Sequence, residues 1–239
     1  ERKIVKRIAG IAFFVLIAVA GAWSQTSSPI PTAETNPVAH AREAMPWHYG
    51  PFVNYGNGVG DRSQFRFLTA GVELGKNLTP VVQAGPLSGQ FELAGNIMPL
   101  WQAYTPAPHT ETVVKNGITY INQYAGGNYY GVSLTPVIMR WNFVTRSHRI
   151  QPWFQGAGGL IYTTHKFPPD ILVAKGVGGN TSVWNFSPQG GLGLHYFVRP
   201  KRSIDFGVNA VHISSASLGD KNPGVNASMQ FQIGYTYWK

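Results

Sequence analysis

The chain has 239 residues, enough for one domain of moderate size, and only 12% of them are charged beside 28 Gly, 7 Trp, 11 Tyr and 13 Phe. A soluble domain carries about twice that charge, so the composition argues against an ordinary water-facing surface and for a wall that meets hydrocarbon and ends in aromatic rims. The net charge of +9 suits an anionic membrane surface, and the absence of Cys excludes a disulfide framework, a thiol nucleophile and thiolate metal sites.

Residues 1–24 have the layout of a secretory signal peptide. Arg2, Lys3, Lys6 and Arg7 form a basic region, Ile8 to Ala20 an apolar stretch too short to span a bilayer comfortably, and Ala22-Trp23-Ser24 a small-x-small site. Cleavage there would take four of the 19 cations and one of the 10 acids, leaving +6. Residues 25–46 are rich in Ser, Pro, Thr and Ala without an apolar period, and read as a flexible periplasmic leader with no core of its own.

From Trp47 to the end, residues 47–239, aromatic and β-branched segments alternate with Gly, Pro, Asn and Asp clusters. Eight segments are expected, near 47–56, 65–77, 89–102, 130–142, 150–163, 182–197, 203–214 and 226–238. The sixth is the clearest. Trp184, Phe186, Pro188, Leu192, Leu194 and Tyr196 fall on one face, and Asn185, Ser187, Gln189, Gly191, Gly193 and His195 on the other.

No amphipathic helix follows residue 46 to cover so many apolar faces. An all-β fold closed on itself needs no cover, and the pattern predicts an eight-stranded antiparallel transmembrane β-barrel of the outer-membrane type, apolar outside and small or polar inside. Short connections around Thr145–His148 and Arg199–Arg202 mark the periplasmic end, while the long ones at Pro106–Asn128, His165–Thr181 and beyond Ser214 mark the external end. The connection from Thr79 to Ser88 is long for a periplasmic turn.

In the seventh segment Ile204, Phe206, Val208, Ala210, His212 and Ser214 share one face, with Asp205, Gly207 and Asn209 opposite. An apolar face that ends in His then Ser places an imidazole within reach of a hydroxyl, because residues i and i+2 of a strand lie about 7 Å apart at Cα. A polar pair on a lipid face invites a functional explanation. The remaining His residues (His40, His48, His109, His148, His165 and His195) show no ligand pair in sequence. Metalloprotease, EF-hand, phosphate-loop and nucleic-acid-binding patterns are missing, so no cofactor, metal or nucleic acid is expected.

His212-Ile213-Ser214-Ser215-Ala216, followed by Asn222, resembles the C-terminal signature His-x-Ser-Asn-Ala of the lipid A 3-O-deacylases, in which an Asn follows eight positions after the Ser. The resemblance also takes in the signal peptide and the eight-strand plan. It implies an outer-membrane carboxylic ester hydrolase that removes the ester-linked 3-hydroxyacyl chain at the 3 position of lipid A in lipopolysaccharide. Ser214 would be the nucleophile, His212 the general base and then acid, and Asn222 with the backbone N–H of Ser217 the oxyanion donors. Asn226 stands where the family's best-known form has a Glu, and Ser215 where it has an Asn. An Asn can accept from the imidazole and hold its tautomer, but gives the imidazolium no counter-charge. Asp220 is a nearby alternative orienter, and Lys221 a candidate contact for lipid A phosphates. A homodimer is left open. The rival readings are a non-catalytic barrel acting as adhesin or envelope-structural protein, an inactive relative of the deacylases, and a soluble lipocalin-like carrier with an apolar lumen.

Overall fold

A computed structural model describes residues 35–169, 171–173, 181–216, 218–219 and 226–239. The signal-peptide reading of residues 1–24, and Ser217, Asp220, Lys221 and Asn222, lie outside the described residues.

The wall strands are β1 (Trp47–Gly58), β2 (Arg66–Asn77), β3 (Gly89–Tyr104), β6 (Asn128–Phe143), β7 (Ile150–Phe167), β11 (Arg202–His212) and β12 (Ala227–Trp238), with β9 (Ser182–Phe186) and β10 (Gln189–Arg199) sharing the eighth position. Each is antiparallel to its neighbours, and pairing of β12 with β1 and of β10 with β7 closes the ring. The expected eight-stranded antiparallel barrel is the fold. The eighth strand is split at Ser187-Pro188, where proline has no N–H for the ladder.

Alternation carries the two walls, and bulges shift its parity within β2, β3 and β6. Along β1 every second residue is exposed and the others are buried. The sixth predicted segment behaves as expected: Trp184, Phe186, Leu192 and Tyr196 are exposed, while Asn185, Ser187 and His195 are buried. Exposed Trp47, Tyr49, Tyr196 and Tyr237 lie towards the periplasmic end, and Tyr55, Tyr130, Tyr162 and Trp184 towards the external end, as amphipathic rings do at the two bilayer interfaces.

The lumen is filled by side chains. Arg140 donates to Glu92 at 2.7 Å, to Glu73 at 2.9 Å and to Gln155 at 2.8 and 3.0 Å, and its guanidinium lies over the Trp153 ring. A second cluster joins His195 to Asp205 at 2.7 Å, with Ser203 and Thr236 also donating to that carboxylate. The external end of the lumen is different. There Phe65, Phe67, Trp101, Tyr129, Ile161 and Phe167 pack into an apolar cluster, which corrects the expectation of a small or polar interior throughout. Ile161 and Tyr129 adjoin the girdle residues Tyr162 and Tyr130, so the cluster closes the lumen at the level of the external girdle.

Two connections hold structure that periodicity did not predict. Within the segment read as an uncored leader, Pro37–Ala44 form helix α1, with the Asn36 side chain accepting from the Ala39 amide and Pro37 at the first turn. Val38 and Ala41 are buried with Phe197 and Trp238, so the helix covers the periplasmic mouth. At the other end β4 (His109–Lys115) and β5 (Ile118–Tyr124) form a hairpin that pairs with β8 (Ile171–Val173) in a separate three-stranded sheet. Its turn is Asn116-Gly117, both at positive φ. The long Thr79–Ser88 connection does lie at the periplasmic end, tied down by Ser88 Oγ, which accepts from the Ala84 amide at 2.8 Å, and by Gln90 donating to the Thr79 carbonyl.

Candidate active site on the outer wall

β11 carries its outward face, Ile204, Phe206, Val208 and Ala210, up to His212, and the chain continues extended for two more residues. His212 donates its amide to the Pro188 carbonyl at 2.9 Å and faces Ala227 of β12. Ser214 exchanges both backbone hydrogen bonds with Phe186, at 2.7 and 3.0 Å. The two residues, on one strand and its extension, are thus fixed against the neighbouring strands by the ladder itself, and both are half-buried on the outer face.

Their height follows from the register. Ala227, paired with His212, lies ten residues along β12 from the girdle residue Tyr237. At about 3.4 Å per residue and a tilt of about 40°, that is roughly 26 Å along the barrel axis, the thickness of an apolar band. From the other side, Ser214 pairs with Phe186, and Trp184, two residues earlier, meets Tyr162 with ring centroids 4.9 Å apart in the external girdle. The pair therefore sits at the outer interface.

Ser214 Oγ accepts from the Ala216 amide at 3.1 Å, a bond that uses an oxygen lone pair and not the hydroxyl proton. Ala216 itself has φ +47°, so the chain turns sharply there. Ser215, where the family signature has Asn, is fully buried.

Below the pair the outer wall is hollowed. Gly156 and Gly158 on β7, Pro188 and Gly190 on the split strand and Ala210 on β11 form a shallow groove of about 530 Å³ that ends at His212 and is flanked by Val137 and Met139. A Cβ added at Gly156 or Gly158 would meet nothing within 4 Å, so these glycines leave open space on the lipid side. One row further down, Phe154, Leu192 and Phe231 stand out from the wall again. Sequence reading missed this groove. The signal was present, as glycines on the outward parity of β7 and β10, where large apolar residues are the rule.

Asn226 precedes Ala227, the residue paired with His212. It is buried, shares the inward parity of Ser228 and Gln230, and accepts the Ile213 amide through its carbonyl at 2.8 Å. Adjacent residues of a strand point to opposite faces, so the outward position next to His212 belongs to Ala227. An orienting role for Asn226 would need its carboxamide to reach the imidazole from the inward face. His48, expected only as a strand-start residue, faces the lumen 3.0 Å from Glu92. It gathers with Glu73 and Glu92 in a group whose ligand atoms lie within 4.8 Å of one another, but Arg140 already bonds both carboxylates, and the geometry is that of an ion network.

Solved structures resemble the chain as barrels. They include the outer membrane enzyme PagL (16% identity, 78% of this chain and 98% of that one, TM-score 0.45), Neisserial surface protein A (12%, 80% and 96%, 0.45) and OprG from Pseudomonas aeruginosa (12%, 81% and 95%, 0.39). No curated protein sequence matches. The sequence profile of the lipid A 3-O-deacylase (PagL) family matches residues 89–236, which takes in six of the eight wall positions, the groove and the His212–Ser214 segment. The chain belongs to the lipid A 3-O-deacylase family, as an outer-membrane β-barrel.

Proposed function

We propose that this protein hydrolyses the ester-linked 3-hydroxyacyl chain at the 3 position of lipid A, with Ser214 as nucleophile and His212 as general base and acid. The observation that carries the reading is the fixed His212–Ser214 pair at the outer interface, with an apolar groove running down the wall from His212. A lipid already seated in the outer leaflet would lay its acyl chain in the groove and present its ester to Ser214 without leaving the membrane.

In this mechanism His212 takes the Ser214 hydroxyl proton as Oγ attacks the ester carbonyl. The tetrahedral oxyanion needs N–H donors, and the Asn222 side chain and Ser217 amide are the proposed ones. Collapse breaks the ester bond, and the imidazolium returns its proton to the departing sugar oxygen. Water, deprotonated by His212, then releases the 3-hydroxy acid and restores Ser214. With Asn226 turned inward, the pair works as a dyad and the charge of the imidazolium is met by the interface. Lys221 is the proposed phosphate contact.

Mass spectrometry of lipid A from cells expressing the intact protein tests the reading. Loss of one hydroxyacyl chain is expected with the intact protein and absent with Ser214→Ala or His212→Ala at matched levels of folded barrel. Unchanged lipid A in all three would sink it. A non-catalytic role has one observation in its favour, the exposed β4–β5 hairpin at the external end, and would leave Ser214 dispensable.

A further inference from the structure

The periplasmic end of the barrel is cationic. The β10–β11 turn brings Arg199, Lys201 and Arg202, the β6–β7 turn Arg146 and Arg149, and the strand ends Lys76 and Lys239. Helix α1 adds Arg42 and Glu43, which cancel, and no other Asp or Glu side chain lies at this surface among the described residues. Glu73, Glu92 and Asp205 face the lumen, and Glu111 lies at the external end with Arg62, Arg66, Lys115 and Lys166.

Two of these cations are held on the lipid side of the wall. Lys76 Nζ lies 5.2 Å from the centroid of Trp47, its cross-strand partner, and the Arg202 guanidinium 5.4 Å from that of Tyr237, also its partner. Both rings belong to the periplasmic girdle, whose depth is that of lipid head groups. Stacking on them keeps the charges in that plane and prevents them from extending away from the membrane. Between α1 and the β10–β11 turn, His40, Lys201, Trp238 and Lys239 line a cleft of about 200 Å³ at the periplasmic mouth.

We propose that this rim binds the phosphate groups of anionic phospholipids in the periplasmic leaflet. Charge alone would suit any polyanion. The stacked pairs favour lipid, because a partner approaching from the periplasm would meet cations lying along the wall, parallel to the lipid face. The inference is independent of the deacylase reading.

Native mass spectrometry of the full-length barrel released from nanodiscs holding equal phosphatidylglycerol and phosphatidylcholine tests it. Phosphatidylglycerol should be retained about fivefold or more over phosphatidylcholine. The preference should fall to parity in Arg199→Gln/Lys201→Gln/Arg202→Gln and weaken in Lys76→Gln, both checked for folding by heat-dependent gel mobility. It should persist in Lys115→Gln/Lys166→Gln at the external end. Equal retention of the two lipids overturns the proposal, as does a preference unmoved by the rim variants. Displacement of the lipid by inorganic phosphate would make the rim a free-anion site, and co-sedimentation with peptidoglycan sacculi without lipid preference would give it to the cell wall. Either result overturns the lipid assignment.

Discussion

His212 and Ser214 gain their geometry from backbone bonds, and the face on which their side chains stand separates them from Asn226. The imidazole and hydroxyl project from the lipid side of a ladder closed by Pro188, Phe186 and Ala227. The carboxamide of Asn226 is buried on the inward parity. An orienting member of a triad that is replaced so as to lose its tautomer control costs about 10⁴ in kcat. Here Asn226→Ala should lower deacylation less than about tenfold, in contrast to the near-complete loss in Ser214→Ala. Initial rates on purified lipid A in detergent distinguish the two, and a loss approaching that of Ser214→Ala would return Asn226 to the site. A related expectation concerns Ala227, the outward neighbour of His212. Ala227→Glu would supply the missing carboxylate on the correct face, and should raise kcat while leaving KM nearly unchanged, since the added charge acts on the imidazolium formed in the transition state.

At the scale of elements, the groove depends on three strands being bare at the same height. Register puts Gly156, Gly190 and Ala210 in one row, and Gly158, Pro188 and His212 in the next. Gly158→Leu has room for its Cβ and should fold normally, but its side chain would fill the groove beside His212. Hydrolysis of lipid A should fall at least about tenfold, in line with a lost apolar contact surface, while cleavage of a short water-soluble ester by the same variant stays close to that of the parent. Equal loss on both substrates would mean that the groove does not receive the acyl chain. The strands that build this surface were legible because a period of two runs through long stretches of the wall segments, as in Trp184 to Tyr196, even where bulges interrupt it in β2, β3 and β6. The signature around His212 was legible for the same reason, since alternation alone places both residues outside. What periodicity could not give was structure held by local turn chemistry. Asn36-Pro37 starts α1, and Asn116-Gly117 closes the β4–β5 hairpin. Both are short-range signals within connectors that composition marks only as polar. The inward turn of Asn226 was implied by alternation along β12, and the family pattern pulled the reading the other way.

For the whole molecule, lumen and outer wall have separate tasks. Arg140 of β6 joins Glu73 of β2, Glu92 of β3 and Gln155 of β7, and Gln155 in turn donates to Asn209 of β11, which donates to Gln232 of β12. The chain of bonds crosses the lumen and ties strands that are far apart around the ring. Arg140→Met would leave the buried Glu92 and the partly buried Glu73 without the guanidinium and should cost about 3–5 kcal/mol. Adding Glu73→Gln and Glu92→Gln should recover much of that loss, because the penalty comes from uncompensated charge and not from the absence of the pair. Urea midpoints of the refolded barrel measure both steps. None of these residues touches the outer surface where His212 stands, so the single variant that still folds should deacylate lipid A at the parental rate. A matched fall in activity at full folding would mean that the lumen network sets the position of β11, and that the wall is less rigid than its closed ladder implies.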